Sequence, residues 1–468
     1  MTAALAQLCD TRPGESGVQL LDDGPAALAV RLHMVRRACR SIDAQYYIWR
    51  DDVAGRLLLD ELAAAAARGV QVRLLLDDFG CAAAEHLVAA LPGLEVRMFN
   101  PARLRWPRWP NALFDFSRLN RRMHNKSLTV DGIATVIGGR NIGDAYFDAG
   151  HAEMAADLDV LAIGAIAGEV AADFQLYWDC PAAVPLARLA APAAPAAAPL
   201  APAPSCGRRR AYLAAAINPA TLALVDEAQD YTWASVAMLS DPPEKISGGV
   251  AEERLMLPQL LAAMASAKQR LLLVSAYFVP TPASQALLVG LASQGVQVDV
   301  LTNSLLSNNV VLVHAFYAPW RKTLLAAGVR LWEMRGASGD RVSLGLIPRR
   351  LRRRRAATSF FRASASELHA KSFIADGRWL FVGSMNFDPR SWRLNTELGF
   401  LIDSPALAGR LQRALDDGLP RFAWALETHG GALAWREDEH LIQPEPGTNA
   451  LQRLAFRLLG WLPLGHLF

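Results

Sequence analysis

The chain is short of cysteine. Its 468 residues include five, Cys9, Cys39, Cys81, Cys180 and Cys206, odd in number, scattered and never spaced as Cys-x-x-Cys. No Cys stands near a His in a ligand pattern, so a disulfide framework and a thiolate metal knuckle are both excluded in favour of reduced thiols. His-Glu-x-x-His, a Walker loop and a dinucleotide fingerprint are missing too. Long apolar runs are equally scarce. Hydrophobic residues make up 52% of the chain, but alanine supplies much of that, and no run approaches the roughly 20 residues a spanning helix needs. The first seventeen residues carry Asp10, Arg12 and Glu15 and lack a signal-peptide layout. The expected location is therefore cytoplasmic, peripheral on the inner membrane. A formal net charge of +3 is too small to name a partner by itself, so local charge matters more.

What the chain does contain, it contains twice. Residues 121–131 read Arg-Arg-Met-His-Asn-Lys-Ser-Leu-Thr-Val-Asp, and residues 368–376 read Leu-His-Ala-Lys-Ser-Phe-Ile-Ala-Asp. Both give His-x-Lys-x4-Asp: His124, Lys126 and Asp131, then His369, Lys371 and Asp376. Seventeen residues after each His comes an Asn in a turn of small residues, Asn141 and Asn386. One His-x-Lys would mean little; two with the same trailing Asn are a strong signal. In an extended segment residues two apart share a face, so each His stands beside its Lys. Two such units facing one another would set two imidazoles, two ammonium groups and two amides around one anion. That constellation suits a phosphodiester, with Lys and Asn holding the non-bridging oxygens while the imidazoles make bonds and move protons.

Hydrophobic periodicity predicts a helix over 24–39, a strand over 41–49, a helix over 53–68 and a strand over 70–76, with a further strand over 94–99. This β-α-β order implies parallel strands with a right-handed crossover. A basic, aromatic loop follows, with Arg103, Arg105, Trp106, Arg108, Trp109, Arg118, Arg121 and Arg122. It reads either as a solvated loop or as a rim for phosphate headgroups with the tryptophans at a membrane interface. After a strand over 158–163 and a helix over 166–178, residues 181–204 turn rich in proline and alanine, which marks a linker and the domain boundary. The second half then repeats the first: Gly295-Val-Gln-Val echoes Gly69-Val-Gln-Val at an offset of 226 residues, whereas the histidines are offset by 245. A net insertion of 19 residues therefore lies between those points, and it holds the cluster Arg349, Arg350, Arg352, Arg353, Arg354 and Arg355. Such a run is either a solvated segment or a site for an anionic surface. His314 in the same region reads as a core or helix-face residue. At the C-terminus Leu451, Leu454, Ala455, Leu458 and Leu459 form a stripe against Gln452, Arg453 and Arg457, to be docked on the core or laid on a membrane.

On the duplicated motif the chain resembles the phospholipase D superfamily. Gly138-Gly-Arg-Asn-Ile-Gly-Asp144, Asn303-Ser-Leu, the segment from His314 to Arg321 and Asn386-Phe-Asp-Pro-Arg390 look most like bacterial cardiolipin synthases that lack N-terminal transmembrane helices. The resemblance implies an α/β fold of two duplicated phospholipase D-like domains, each a mixed, mostly parallel sheet flanked by helices, related by a pseudo-twofold axis. The expected bounds are 1–180 for the first domain, 181–210 for the linker and 211–468 for the second with its basic insertion and helical tail. It implies a phosphatidyltransferase that makes cardiolipin through a covalent phosphatidyl-histidine, with hydrolysis of phospholipids or of nucleic acid as alternatives. His124 would be the nucleophile and His369 the acid and base, with Lys126 and Lys371 on the phosphoryl oxygens. The motif aspartates, Asp131 and Asp376, look structural in the family, and the acids that orient the rings match Asp157 and Glu397 here. Arg140 departs from the apolar or aromatic residue usual beside the first Asn, which puts that turn's substrate contacts in doubt. The expected partners are phospholipids and an anionic membrane surface, with no nucleic acid, no obligate protein partner, no metal and no other cofactor.

Overall fold

The structure, a computed structural model, describes the chain apart from residues 1–2, 83, 90, 106–107, 148–153, 190–205, 227–230, 309, 337–365 and 461–468. The arginine cluster 349–355 and Trp106 lie outside the described residues. Two compact units are interleaved in sequence: Met1–Ala149, Leu158–Met256 and Leu394–Ile402 make the first, and Gly150–Asp157, Leu257–Arg393 and Asp403–Phe468 the second.

At the centre of the first unit, strands Ser41–Tyr46, Gln71–Asp77 and Leu94–Phe99 run parallel in that order. Helix Val53–Ala67 is the crossover between the first two. It starts where the Asp52 carboxylate accepts the Gly55 amide at 3.0 Å, and it stops before Gly69, whose φ of +90° reverses the chain without a Cβ clash. Around this core the pairing is antiparallel. Ser127–Val130 lies against Ser41–Tyr46 and is followed outward by Ala134–Gly138, Asp159–Gly164, Ser16–Leu21 and Thr232–Ser240. Ala183–Pro185 closes the other edge against Leu94–Phe99. A mostly parallel sheet was the expectation; parallel pairing is confined to the β-α-β core. Only there does a helical crossover return the chain in the same direction, whereas tight hairpins such as residues 131–133 force reversal.

Residue parity shows how the sheet is covered. Leu74 and Leu76 belong to the larger core, shared with helices Gly24–Arg37 and Val53–Ala67. Leu75, between them, points to the other face and packs with Phe174, Tyr177 and Trp178 of helix Ala165–Asp179. The unit is thus helix, sheet, helix.

The second unit repeats the order. Arg270–Ser275, Gln297–Asn303 and Arg330–Met334 are parallel, Lys371–Ala375 and Trp379–Gly383 continue antiparallel on one side, and Ala423–His429 pairs antiparallel with Arg330–Met334 on the other. Gly295, at φ +85°, ends the crossover helix Pro282–Ser293 as Gly69 ends its counterpart.

Two further expectations are corrected. Residues 211–256, assigned to the second domain, belong to the first unit, because Thr232–Ser240 extends its sheet along Ser16–Leu21 and helix Cys206–Ala216 packs on Gly24–Arg37. Residues 183–188, expected as linker, form the edge strand and a short 3-10 turn. Helix Ala450–Gly460 divides its apolar stripe: Leu451, Leu454 and Leu458 are exposed, while Leu459 and buried Phe456 pack with Leu305 and Ala315, and Gln452 is buried.

Candidate active site

In each unit the His-x-Lys triplet leads into the strand that lies antiparallel to the first of the three parallel ones, Ser127–Val130 in one and Lys371–Ala375 in the other. The motif aspartates stand at the far ends of those strands. Asp131 at φ +55° and Asp376 at +52° each precede a glycine that also has positive φ. Asp131 accepts the amides of Cys39, Arg40 and Ser41 at 3.1, 2.7 and 3.0 Å. Asp376 accepts those of Lys268, Gln269 and Arg270 at 2.8, 2.8 and 2.9 Å. Burial pushes both carboxyls up, but the hydrogen bonds they accept outweigh it and hold both below the usual range. These carboxylates fasten a strand end to its neighbour and do not touch the imidazoles.

The carboxylates that do touch them come from elsewhere. His124 Nδ1 lies 2.8 Å from Glu397 Oε2, and the two residues are 273 apart in sequence. His369 Nδ1 lies 2.6 Å from Asp157 Oδ2, across 212 residues. Each acid thus belongs to the opposite half of the chain yet sits inside the unit of the histidine it meets. A carboxylate only accepts, so each Nδ1 carries a proton, and Nε2 is the ring nitrogen whose lone pair can act as nucleophile or base.

Short extended segments bring these acids in. The His124 amide donates to the Thr396 carbonyl at 2.9 Å, the Thr396 amide to the Arg122 carbonyl at 3.0 Å, and the Thr396 hydroxyl to Asn125 Oδ1 at 2.7 Å. In the second unit Met154–Ala156 pairs parallel with Ser366–Leu368, and the amides of His369 and Ala370 donate to the Ala156 carbonyl at 2.8 and 3.0 Å. Lys126 and Lys371 each donate back to the carbonyl of their own motif histidine. The ammonium of Lys126 also stands 5.6 Å from the centre of the Tyr47 ring, and that ring meets the His124 imidazole edge-on at 5.1 Å. The motif offers no signal for Tyr47.

Behind Glu397 is a buried clamp that sequence reasoning also missed. Asp241 donates its amide to the Glu397 carbonyl at 3.0 Å and accepts the Glu397 amide on Oδ2 at 3.1 Å. The same oxygen accepts Lys245 Nζ at 2.7 Å, Oδ1 accepts the Met256 amide at 2.9 Å, and the Tyr177 hydroxyl donates to the Asp241 carbonyl at 2.5 Å. Nearby, burial and then the Asp241 charge push the Asp173 carboxyl up to about 7 against a hydrogen bond from Ser240.

A second pair of equivalent residues supports the histidines from below. Asp77 and Asn303 end corresponding strands, and each accepts the amide of the residue before the motif His, Met123 at 3.1 Å and Leu368 at 2.9 Å. Asp77 also faces Arg122 at 3.3 Å, whereas Asn303 instead donates to the carbonyls of Ala276 and Leu368 at 3.0 and 2.8 Å. The two half-sites share a frame but differ in charge.

Asn141 and Asn386 are both buried; Asn141 Oδ1 accepts the Ile48 amide at 3.1 Å. Arg140 is turned away from that chemistry: its guanidinium donates to the carbonyls of Leu21, Asp22 and Tyr146 and pairs with Asp159. His314 is not part of either half-site. It is buried with Arg321, both contacting Glu445 at 2.8 Å, and the Arg321 charge with these contacts outweighs the burial that would push the Glu445 carboxyl up. Among the described residues no group of three or more His, Cys, Asp and Glu could hold a metal ion.

A family model described as cardiolipin synthase, PLD-like domain, matches residues 32–178 and 260–417. The chain is 39% identical over 477 residues to cardiolipin synthase C of Escherichia coli K12, an alignment that spans 99% of this chain and 98% of that one. It is 24% identical to cardiolipin synthase A of Citrobacter koseri, over 90% of this chain and 74% of the other. Among solved structures, phosphatidylserine synthase of Haemophilus influenzae Rd KW20 superposes with a TM-score of 0.62 at 14% identity, covering 99% of each chain, and so shares the fold.

Proposed function

This chain belongs to the cardiolipin synthase family of phospholipase D-like proteins, and on that footing we propose that it moves a phosphatidyl group from one phospholipid to the hydroxyl of another. The observation that carries the chemistry is the matched pair of imidazoles, each with Nδ1 on a buried carboxylate. His124 Nε2 attacks the phosphorus of the donor and a P–N bond forms. The bond from phosphorus to the headgroup oxygen breaks, and His369 gives that oxygen its proton. The headgroup alcohol leaves. A hydroxyl of the second lipid then loses its proton to His369 and attacks the same phosphorus. The P–N bond breaks, and both histidines return to their starting states. Glu397 and Asp157 stabilise whichever ring is cationic. Lys126, Lys371, Asn141 and Asn386 bind the non-bridging oxygens, so the site carries its own cations and calls for no metal.

A membrane supplies these substrates, and no described helix is long and apolar enough to cross one. The protein works peripherally on the inner membrane, against an anionic surface, and takes lipid rather than nucleic acid. The test is mass spectrometry of the products formed from defined phosphatidylglycerol and phosphatidylethanolamine, beside a nuclease assay on the same preparation. Cardiolipin as product is expected. Phosphatidic acid alone would reassign the protein as a hydrolase, and DNA cleavage without lipid turnover as a nuclease.

A further inference from the structure

The residues between the third parallel strand and the first motif carry large apolar side chains that the fold leaves in solvent. Thirteen large hydrophobic residues are exposed among those described, and five of them lie within 104–116: Leu104, Trp109, Leu113, Phe114 and Phe116, with Phe114 the most exposed at 81%. Scattered exposed apolar groups are ordinary; this concentration is not. Phe79, exposed as well, directly follows Asp78, to which the segment is tied.

The segment is held in shape by polar pins beneath it. Buried Asn111 accepts the Leu104 amide at 3.0 Å and donates to the carbonyls of Leu104 and Arg108 at 2.8 Å each. Arg105 pairs with Asp78 and Glu85. Arg118 reaches Asp115 by Nε at 2.8 Å and the Pro101 carbonyl at 3.1 Å. Two four-residue helices, Asn111–Phe114 and Phe116–Leu119, carry Leu113, Phe114 and Phe116. The apolar groups are therefore presented on an ordered scaffold, with little ordering left to do on contact.

Charge says what they meet. The carboxylates of the scaffold face inward, with side-chain exposures of 3% for Asp78 and 10% for Asp115. Among the arginines, Arg103 is the outward one at 74% and Arg108 is part-exposed at 35%, while Arg105 at 13% and Arg118 at 27% turn towards the carboxylates. Apolar and aromatic side chains with Arg103 and Arg108 at their edge, and the carboxylates turned inward, fit an anionic lipid surface, where Trp also settles at the headgroup level. The chain then runs directly to the motif, fixed by Asn100, which donates to the carbonyls of Arg118 and Arg121 at 3.0 and 2.8 Å.

We infer that Leu104, Trp109, Leu113, Phe114 and Phe116 form a tip that seats in an anionic phospholipid leaflet and holds His124 at the lipid surface. The docking stands on these observations alone; its consequence for turnover rests on the phosphatidyl-transfer reading. The test compares the parent with a Leu113→Ser/Phe114→Ser double variant on vesicles of phosphatidylglycerol and phosphatidylethanolamine, at high salt to suppress general electrostatic attraction. Both side chains are exposed, so the thermal midpoint should not move. Vesicle partition should fall by more than about tenfold. Turnover of vesicle-held lipid should fall in step, with turnover of the same lipid in detergent micelles retained. Equal partition of parent and variant overturns the inference and leaves the tip to a protein partner. Lost partition in the variant, with cardiolipin made by neither protein, supports the tip and rejects the transfer reading.

Discussion

Two imidazoles of the same kind must do different work at one pH, and their immediate surroundings are where they differ. His124 has a glutamate on Nδ1; His369 has the shorter aspartate. Asp77 and Arg122 bring full charges beneath the first motif, where the second has the neutral Asn303. These contrasts fit a nucleophile at His124 and a proton carrier at His369. The assignment has a sharp consequence. A His369→Ala variant given a donor with a good leaving group needs no acid for the first step and stalls at the second. Covalent adduct should therefore accumulate and map to His124 by peptide analysis at neutral or alkaline pH, and His124→Ala should form none. Label on His369 in the unaltered protein would reverse the roles.

Elements, not single residues, bring each acid to its histidine. Glu397 arrives on a segment that is clamped through its backbone amide and carbonyl by Asp241, and Asp241 is itself paired with buried Lys245. Asp241→Asn leaves that ammonium buried without its counter-charge, which typically costs about 3–5 kcal/mol. Asp241→Asn together with Lys245→Met removes both charges and should recover most of the thermal midpoint. Turnover should stay depressed in the double variant, with kcat lowered more than KM, because Asn offers one acceptor oxygen where Asp241 uses two, one for the Glu397 amide and one for that of Met256. Full recovery of kcat along with stability would reduce Asp241 to a folding role. The histidines and lysines are legible in the duplicated motif, and the ring acids Asp157 and Glu397 in the family resemblance. The clamp is not, because Asp241 and Lys245 sit outside any motif, and only the fold puts them behind residue 397.

At the scale of the molecule, the first unit keeps a carboxyl where burial opposes its charge. Asp173 is pushed up to about 7, against an unfolded value of about 3.9. As pH rises from about 4 to about 7 the unfolded chain gives up this proton first, so the folded state binds more protons and stability falls through that window. Asp173→Asn removes the effect. The thermal midpoint of the variant should match the parent near pH 4, rise above it progressively towards pH 7, and stay above it beyond. A gap that does not change with pH would show that Asp173 is not titrating in the fold. Burial in a low-dielectric core is a property of the assembled unit, and nothing in the stretch around residue 173 announces it.

Duplication, the order of helices and strands, and the chemical types at the reacting centre followed from the sequence. Each is carried by local pattern: spacing two apart in an extended segment, apolar periodicity, and a motif that returns with its trailing Asn. Strand direction outside the β-α-β core did not follow, since a hairpin and a crossover can join equally apolar strands. Nor did the crossing of the halves, in which Glu397 meets His124 and Asp157 meets His369. The docked face of helix Ala450–Gly460 did not follow either: Gln452 and Phe456 are buried on it, while Leu451, Leu454 and Leu458 stay exposed. Local pattern sets which groups are available and what each strand or helix is. Contacts across 212 and 273 residues are decided by how whole elements pack, and it is those contacts that fix which nitrogen of each imidazole can act as nucleophile or base.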